Sequence, residues 1–175
     1  MKISKMLWVD AIGVGLFTLV YSLIMSGFSL WMGSAAFVAV SYFFGAGFPR
    51  DKVWNILLSF ALGIGFGLMT YRLMQIPFLG QMWPSAIMFG ILTTIVLLLQ
   101  GTIMKFTLVP AWLIAWGTTM LIITNVPVHH WGLFVGQLYG SMILGIFVIG
   151  YASDYFYRAV FKLFPDRKSA NSDED

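Results

Sequence analysis

The sequence has no cysteine and little charge. None of its 175 residues is a cysteine, which excludes disulfides, thiolate metal sites and cysteine catalysis. Only 10% of the residues are charged whereas 59% are hydrophobic, and the mean hydropathy is +0.87. This balance differs strongly from that of a soluble domain with a polar surface. The composition therefore predicts a protein embedded in a lipid bilayer.

Motifs for catalysis and for metal or nucleotide binding are also missing. The sequence has no catalytic dyad, nucleophile motif, paired carboxylates or phosphate-binding loop. His129 and His130 are adjacent, but no Cys, Asp or Glu is close enough in sequence to complete a metal site with them. The basic residues are scattered singly, which argues against nucleic-acid binding. We expect no enzyme activity, no cofactor, no metal and no nucleic-acid partner.

Hydrophobic runs of about 20 residues, the length that crosses a bilayer as an α-helix, fill most of the chain. They lack the polar and apolar alternation of a membrane barrel. Breaks at Gly, Pro and charged residues delimit six predicted spans, 7–26, 29–48, 53–73, 84–104, 107–125 and 132–155. We predict an all-α polytopic membrane protein with one transmembrane domain over residues 1–158 and a polar cytoplasmic tail over 159–175.

The basic residues indicate the orientation of the six spans. With a cytoplasmic N-terminus, nine of the ten Lys and Arg residues fall on the cytoplasmic side, as the positive-inside rule requires. These nine are Lys2, Lys5, Arg50, Lys52, Lys105, Arg158, Lys162, Arg167 and Lys168. Only Arg72 falls on the opposite side. Both termini are therefore predicted to be cytoplasmic.

A stretch of the first span returns in the fourth. LWVDAIGVGLFT, residues 7–18, matches MWPSAIMFGILT, residues 82–93, at five of twelve positions with an offset of 75. The repeat halves, about 7–73 and 82–155, hold three spans each. Because three is odd, the second half enters the membrane from the other side. We predict two inverted three-helix repeats, an architecture common in transporters and channels.

Two further correspondences support the repeat. At the same offset, Ala36 and Phe37 in the second span fall on Ala111 and Trp112 in the fifth. Small residues also recur at four-residue spacing in the third and sixth spans, at Ser59, Gly63 and Gly67 and at Gly132, Gly136 and Gly140. Small residues on one face of a membrane helix let a second backbone approach closely. We expect both rows to form tight helix crossings.

Three polar residues within the spans are candidates for a solute path. Gln100 and Gln137 can each donate and accept hydrogen bonds, either to a small solute or to a neighbouring helix. Asp10 lies one turn inside the cytoplasmic end of the first span. Its carboxylate is suited to a proton or cation site at a pore mouth, or is an interfacial residue favoured by the helix dipole.

Three further candidates for the path lie in the second and fifth spans. Pro110 either starts the fifth helix or shapes a broken helix whose free backbone groups line the path. Phe37 and Trp112 occupy matching positions of the two halves, where aromatic side chains pack or form a hydrophobic constriction.

Two segments carry a resemblance to a known group of proteins. SAAFVAVSYFFGAGFP, residues 34–49, places an aromatic-rich helix before small residues and a proline, and FTLVPAWLIAWGTTM covers residues 106–120. In these segments the chain resembles an uncharacterised, domain-of-unknown-function family of small bacterial inner-membrane proteins. The resemblance implies a location in the bacterial inner membrane and no established activity.

Taken together, these features predict a channel or simple transporter for a small uncharged or weakly polar solute, which crosses between two inverted halves. Scarce charge within the spans argues against a pump with a long proton relay. The alternative is a non-transporting scaffold, accessory subunit or lipid-interacting sensor. The expected partners are the lipid bilayer, a small solute and a second copy of the chain in a homo-oligomer.

Overall fold

The fold was analysed in a computed structural model, which describes residues 5–27, 32–47 and 49–164. These residues form helices, turns and loops, with no strand among them. Six helices follow in chain order, α1 (Lys5–Gly27), α2 (Ala35–Gly45), α3 (Val53–Met74), α4 (Met82–Gly101), α5 (Val109–Asn125) and α6 (Trp131–Leu163). A single turn of 3-10 helix, Arg50–Lys52, leads into α3.

Three of the helices, α3, α4 and α6, are long and apolar enough to cross a membrane. Apolar helical stretches of 10 to 17 residues are also present in α1, α2 and α5. The 11 residues of α2 extend about 16 Å, roughly half the thickness of the hydrocarbon layer. The 33 residues of α6 extend about 50 Å and exceed that thickness.

The six helices lie where the hydrophobic runs predicted them, with two differences at their ends. Residues 32–34 form a turn, so α2 begins at Ala35 rather than near residue 29. Helix α6 continues to Leu163, past the predicted end at residue 155, because the amphipathic segment after the apolar run is also helical. The first five residues of the predicted tail are thus helical, and residues 165–175 lie outside the described part of the chain.

The middle of α6 is wound as a π-helix over Gly145–Tyr151. Such segments are rare in proteins and are frequent at functional sites. The part of α6 before this segment packs against α3 and α2, and the part after it packs against α1. The π-helical segment itself contacts α1 and α2.

Helices α3 and α5 form the most extensive contact in the fold. A Cβ atom added to Gly63 would lie 2.3 Å from the Trp112 carbonyl oxygen, and one added to Gly67 would lie 2.7 Å from Cβ of Thr119. The two contacts advance in the same direction along both helices, so α3 and α5 run parallel. Ser59 joins the start of α5, because its Oγ accepts a hydrogen bond from the Leu108 N–H at 2.8 Å. The small residues of α3 therefore lie at a close crossing.

Among the residues that the structure describes, the glycine row of α6 does not form the close crossing that its spacing predicts. A Cβ atom added to Gly132, Gly136 or Gly140 would have no atom within 4 Å among the described residues. The close approaches of α6 occur one turn and more further along, at Gly145 against Ala36 and at Gly150 against the ring of Phe43. The short helix α2 contacts both the π-helical segment and the preceding part of α6, but among the described residues these contacts do not involve the face that carries the glycine row.

The interior between α2, α3, α5 and α6 is apolar and filled by large side chains. Phe43, Ile56, Phe60, Phe134 and Leu138 are fully buried there, and smaller residues of α5 complete the cluster. Buried hydroxyls of Thr70 and Thr119 donate to carbonyl oxygens one turn earlier in their own helices. The centre of the bundle is therefore a packed core in this conformation.

Candidate functional site

Four aromatic side chains from three helices meet on the side of α5 that is turned toward α4. Phe66 comes from α3, Phe89 from α4, and Trp112 and Trp116 from α5. We call these four residues the indole cluster. Trp112 is fully buried and Trp116 is nearly so.

The sequence of α5 sorts its residues onto two faces. Ala111 and Ala115 are fully buried in the apolar core that α5 shares with α2, α3 and α6. Trp112 and Trp116 follow each of them by one position, are one helical turn apart and pack in a separate cluster with residues of α4. The small face lets α3 approach closely, and the two indoles project together from a neighbouring face.

The rings of the indole cluster pack mainly edge to face. The Phe66 ring centroid lies 5.1 Å from that of Trp112 at an interplanar angle of 83°, and 5.8 Å from that of Trp116 at 68°. Phe89 stacks on Trp116 at 5.9 Å and 21°. Both arrangements are favourable for aromatic pairs. The contacts fix the orientation of the two indole rings.

The polar atoms of the indole cluster are its two indole N–H groups. The Nε1 atoms of Trp112 and Trp116 are buried, and within the described part of the chain no acceptor meets either of them. An unpaired buried donor costs about 1 to 3 kcal/mol, and buried Trp N–H groups usually find a partner. Two such donors on successive turns of one helix mark a place where a bound molecule with an acceptor atom would be stabilised.

Helix α4 contacts the indole cluster through a narrow stripe of buried side chains. Its buried residues are Met88, Leu92 and Val96, spaced four apart, and all three pack in the same cluster as the indoles. The rest of α4 is largely exposed. On the outer side of α4 lies an apolar groove of about 340 Å³, which Met88 and Leu92 also line together with Trp83. Met88 and Leu92 therefore border both this groove and the indole cluster.

The residues predicted to line a path do not all lie together. Trp112 belongs to the indole cluster, and Gln100 and Pro110 directly follow Leu99 and Val109, which pack against that cluster. Gln100 is half-buried in the last turn of α4, and Pro110 is exposed in the first turn of α5.

The remaining predicted path residues lie apart from the cluster. Phe37 is half-exposed on α2, with its ring 6.4 Å from that of Tyr21. Gln137 is half-buried on α6, and no hydrogen bond meets its buried Oε1 within the described residues. The side chain of Asp10 lies outside the described residues. The matching positions of Phe37 and Trp112 thus have different surroundings.

Sequence reasoning did not single out the other three members of the indole cluster. The spacing of Trp112 and Trp116 indicates that they share a helix face. Phe66 and Phe89 carry no such signal, because their place depends on how α3 and α4 pack against α5.

The chain belongs to a family described as proteins of unknown function (DUF1097), whose family model matches residues 11–157. The resemblance expected from the sequence is therefore confirmed. No curated protein and no solved structure matches the chain.

Proposed function

We propose that this protein moves a small, uncharged solute across the membrane and binds it at the indole cluster. The observation that carries the proposal is the pair of buried N–H donors at Trp112 and Trp116, neither of which meets an acceptor among the described residues. A ligand with one or two acceptor oxygens would satisfy both donors and remove the free-energy cost of leaving them unpaired.

The surroundings of the two donors define the solute class. The side chains that pack around them are apolar or aromatic, and include Phe66, Phe89 and Leu92. An ion would lose its hydration there without a compensating charge. A neutral molecule with a carbonyl, hydroxyl or ether oxygen and an apolar body fits this environment better.

Six spans in two inverted halves are part of the same proposal. Its support is that two parallel helix pairs, each with one helix from either half, have glycine at the contact, α3 with α5 at Gly63 and α6 with α2 at Gly145. The outer helices α1 and α4 carry the sequence repeat, and each packs on one of these pairs. In this arrangement both termini are cytoplasmic, in a bacterial inner membrane, which agrees with the distribution of basic residues.

A gated mechanism suits the packing better than an open pore does. The centre of the bundle is filled by large side chains such as Phe60 and Leu138. The indole cluster is instead covered by the single stripe of α4, and displacement of Met88 and Leu92 would open it toward the outer groove. The structure then corresponds to an occluded conformation.

The test is solute flux in liposomes with variants that remove only the indole donors. In Trp112→Phe/Trp116→Phe the aromatic packing is largely kept and both N–H groups are lost. We expect reconstituted protein to speed entry of at least one of urea, acetamide, glycerol and ethylene glycol, followed by light scattering after an osmotic step. In the double variant, the solute concentration that gives half-maximal flux should rise about tenfold, which corresponds to the loss of one to two hydrogen bonds to the solute.

A matched control separates this effect from general loss of tryptophan. Trp54 lies in the first turn of α3 and is 74% exposed, so Trp54→Phe should leave flux unchanged. The free energy of unfolding gives a second readout, because loss of the two unpaired N–H groups stabilises the double variant while the smaller rings leave unfilled space, and these two opposing effects should cancel to within about 1 kcal/mol. Flux no faster than in protein-free vesicles, or equal flux in the double variant and the wild type, would contradict the proposal.

The packed bundle core favours a second candidate, a non-transporting accessory protein of the membrane. In that case the indole N–H groups would have no ligand. Neither the wild type nor the double variant would then speed the entry of any solute into the liposomes, and the two proteins would have similar free energies of unfolding.

A further inference from the structure

A second candidate site lies at the end of α6 that follows the π-helical segment. A concave surface of about 470 Å³ is lined there by Tyr151, Asp154, Tyr155, Arg158, Ala159 and Lys162. These residues recur every three to four positions, so they form one face of the helix. The surface is on a different helix from the indole cluster.

The opposite face of this part of α6 is held against α1. The Phe156 ring covers Gly13, where an added Cβ atom would approach it to 2.9 Å, and packs edge to face on Phe17 at 6.3 Å. Ser153 is buried, and its hydroxyl donates to the Gly150 carbonyl oxygen. The contact with α1 thus holds this part of α6 in place, and the face that lines the concave surface points away from that contact.

The charges on this face include an ion pair between Arg158 and Asp154. Arg158 Nε lies 3.6 Å from Oδ1 of Asp154, and the Arg158 side chain is 65% exposed. The guanidinium has five N–H donors, and the Nε–H is one of them, so the four donors of its terminal nitrogens are not used by this contact. Lys162 follows one turn later and is exposed. With Asp154 included, the face carries a net charge of +1.

The polarity of the face changes along the helix axis. Tyr151 lies at the end of the apolar run, Tyr155 is 77% exposed one turn on, and Arg158 and Lys162 follow. The distance along the axis from Tyr151 to Lys162 is about 16 Å, so the face is long enough to pass from the edge of the hydrocarbon layer through an interfacial layer of about 5 to 8 Å. Aromatic rings next to basic groups, in this order, are typical of a helix segment at the level of the lipid headgroups.

We propose that this face binds the headgroup of an anionic phospholipid. Arg158 and Lys162 hold the phosphate oxygens by charge-assisted hydrogen bonds, the Tyr155 hydroxyl contributes a further donor, and Tyr151 contacts the upper part of the acyl chains. Ala159, between the two basic residues, leaves room for the phosphate. The exposed Tyr155 ring and the apolar run that ends at Tyr151 adjoin the basic residues and favour a lipid over a soluble anion. The site does not depend on the proposed transport function.

The experiment measures binding of phosphatidylglycerol to the full chain. Protein purified and delipidated in a neutral detergent is titrated with phosphatidylglycerol or phosphatidylcholine, and bound lipid is counted by native mass spectrometry. We expect one phosphatidylglycerol to be retained at concentrations where phosphatidylcholine is not. Arg158→Gln/Lys162→Gln should weaken this binding about 30-fold, the effect of removing two basic groups at an anionic lipid surface.

Two controls separate the site from the total charge of the protein. Lys52→Gln/Lys105→Gln removes two exposed basic residues elsewhere and should change binding by less than about threefold. The exchange Arg158→Lys/Lys162→Arg keeps both charges and should keep most of the affinity. If the double neutralisation does not fold, each single one is measured instead, with about fivefold weakening expected for each.

Three outcomes would overturn the proposal. Equal retention of the two lipids would remove the preference for an anionic headgroup. If the Arg158→Gln/Lys162→Gln variant, or both single variants, bound phosphatidylglycerol as tightly as the wild type does, the lipid would bind at another site. Displacement of the lipid by millimolar inorganic phosphate would assign the site to a soluble anion.

Discussion

Two helix crossings in this molecule use glycine in different ways. At the crossing of α3 and α5, Gly63 faces main-chain atoms, since a Cβ atom there would lie 2.3 Å from the Trp112 carbonyl oxygen. At the crossing of α2 and α6, Gly145 faces Cβ of Ala36 at 2.6 Å, and Gly150 faces the Phe43 ring at 2.8 Å. At the first crossing the backbones of α3 and α5 are therefore in direct contact. At the second, part of the contact is made by the Phe43 ring, which can rotate.

The helices at the two crossings also differ in regularity and length. Helices α3 and α5 are regular and have 22 and 17 residues. Helix α2 has 11 residues, and the segment of α6 beside it is π-helical. A short helix against a π-helical segment can shift with less disruption than two long regular helices. The comparison indicates a rigid crossing of α3 and α5, which positions the indole cluster, and a more adaptable crossing of α2 and α6.

The largest effect is expected at the rigid crossing. Gly63→Ala places a methyl group against the backbone of α5 and should lower the free energy of unfolding by about 3 kcal/mol, although alanine is the better helix former. SDS unfolding in mixed micelles, followed by circular dichroism, measures it. Gly65→Ala is the control, because a Cβ there meets nothing within 4 Å, and it should be neutral or slightly stabilising. Equal stability of both variants would refute a closed α3–α5 contact.

The sequence predicted much of this fold from hydropathy alone. Lengths of apolar runs located the six helices, and the spacing of Ser59, Gly63 and Gly67 identified the face of α3 that meets α5. The same spacing at Gly132 to Gly140 was misleading, because a row of small residues permits close approach and does not specify which helix approaches. Trp112 was a candidate from the repeat, whereas its unpaired N–H depends on the packing of α3 and α4 around it.

An intermediate effect is expected at Gly145. Gly145→Ala directs a methyl group at Cα, Cβ and the carbonyl oxygen of Ala36, so the clash is again partly with backbone. Helix α2 is short, whereas the start of α5 is fixed by the hydrogen bond between Leu108 and Ser59. We therefore expect α2 to shift more easily than α5 and to relieve part of the clash. We expect a loss of about 1.5 kcal/mol in the same SDS titration.

The matched control for Gly145 lies on the same helix. Gly140→Ala adds a methyl group where nothing lies within 4 Å among the described residues, and its stability should equal or slightly exceed that of the wild type. A loss at Gly140 as large as that at Gly145 would mean that the glycine row is covered in the folded protein, by another part of the chain or by a second copy.

The smallest effect is expected at Gly150, where the opposing group is a side chain. Gly150→Ala brings a Cβ atom to 2.8 and 3.1 Å from two atoms of the Phe43 ring, which also packs against Tyr151 at 5.2 Å. Rotation of the ring can relieve this contact, and the gain in helix propensity offsets part of what remains. We expect a loss of about 0.5 kcal/mol.

A double-mutant cycle with Phe43→Leu tests whether the ring is the cause. Both single variants and the double variant are measured by SDS unfolding, and the smaller leucine should abolish the loss caused by Gly150→Ala. A loss at Gly150 that equals the one at Gly63, and that Phe43→Leu does not relieve, would show that the π-helical segment is as rigid as the α3–α5 crossing. The adaptable crossing would then have to be sought elsewhere, with the narrow contact of α4 over the indole cluster as the next place to examine.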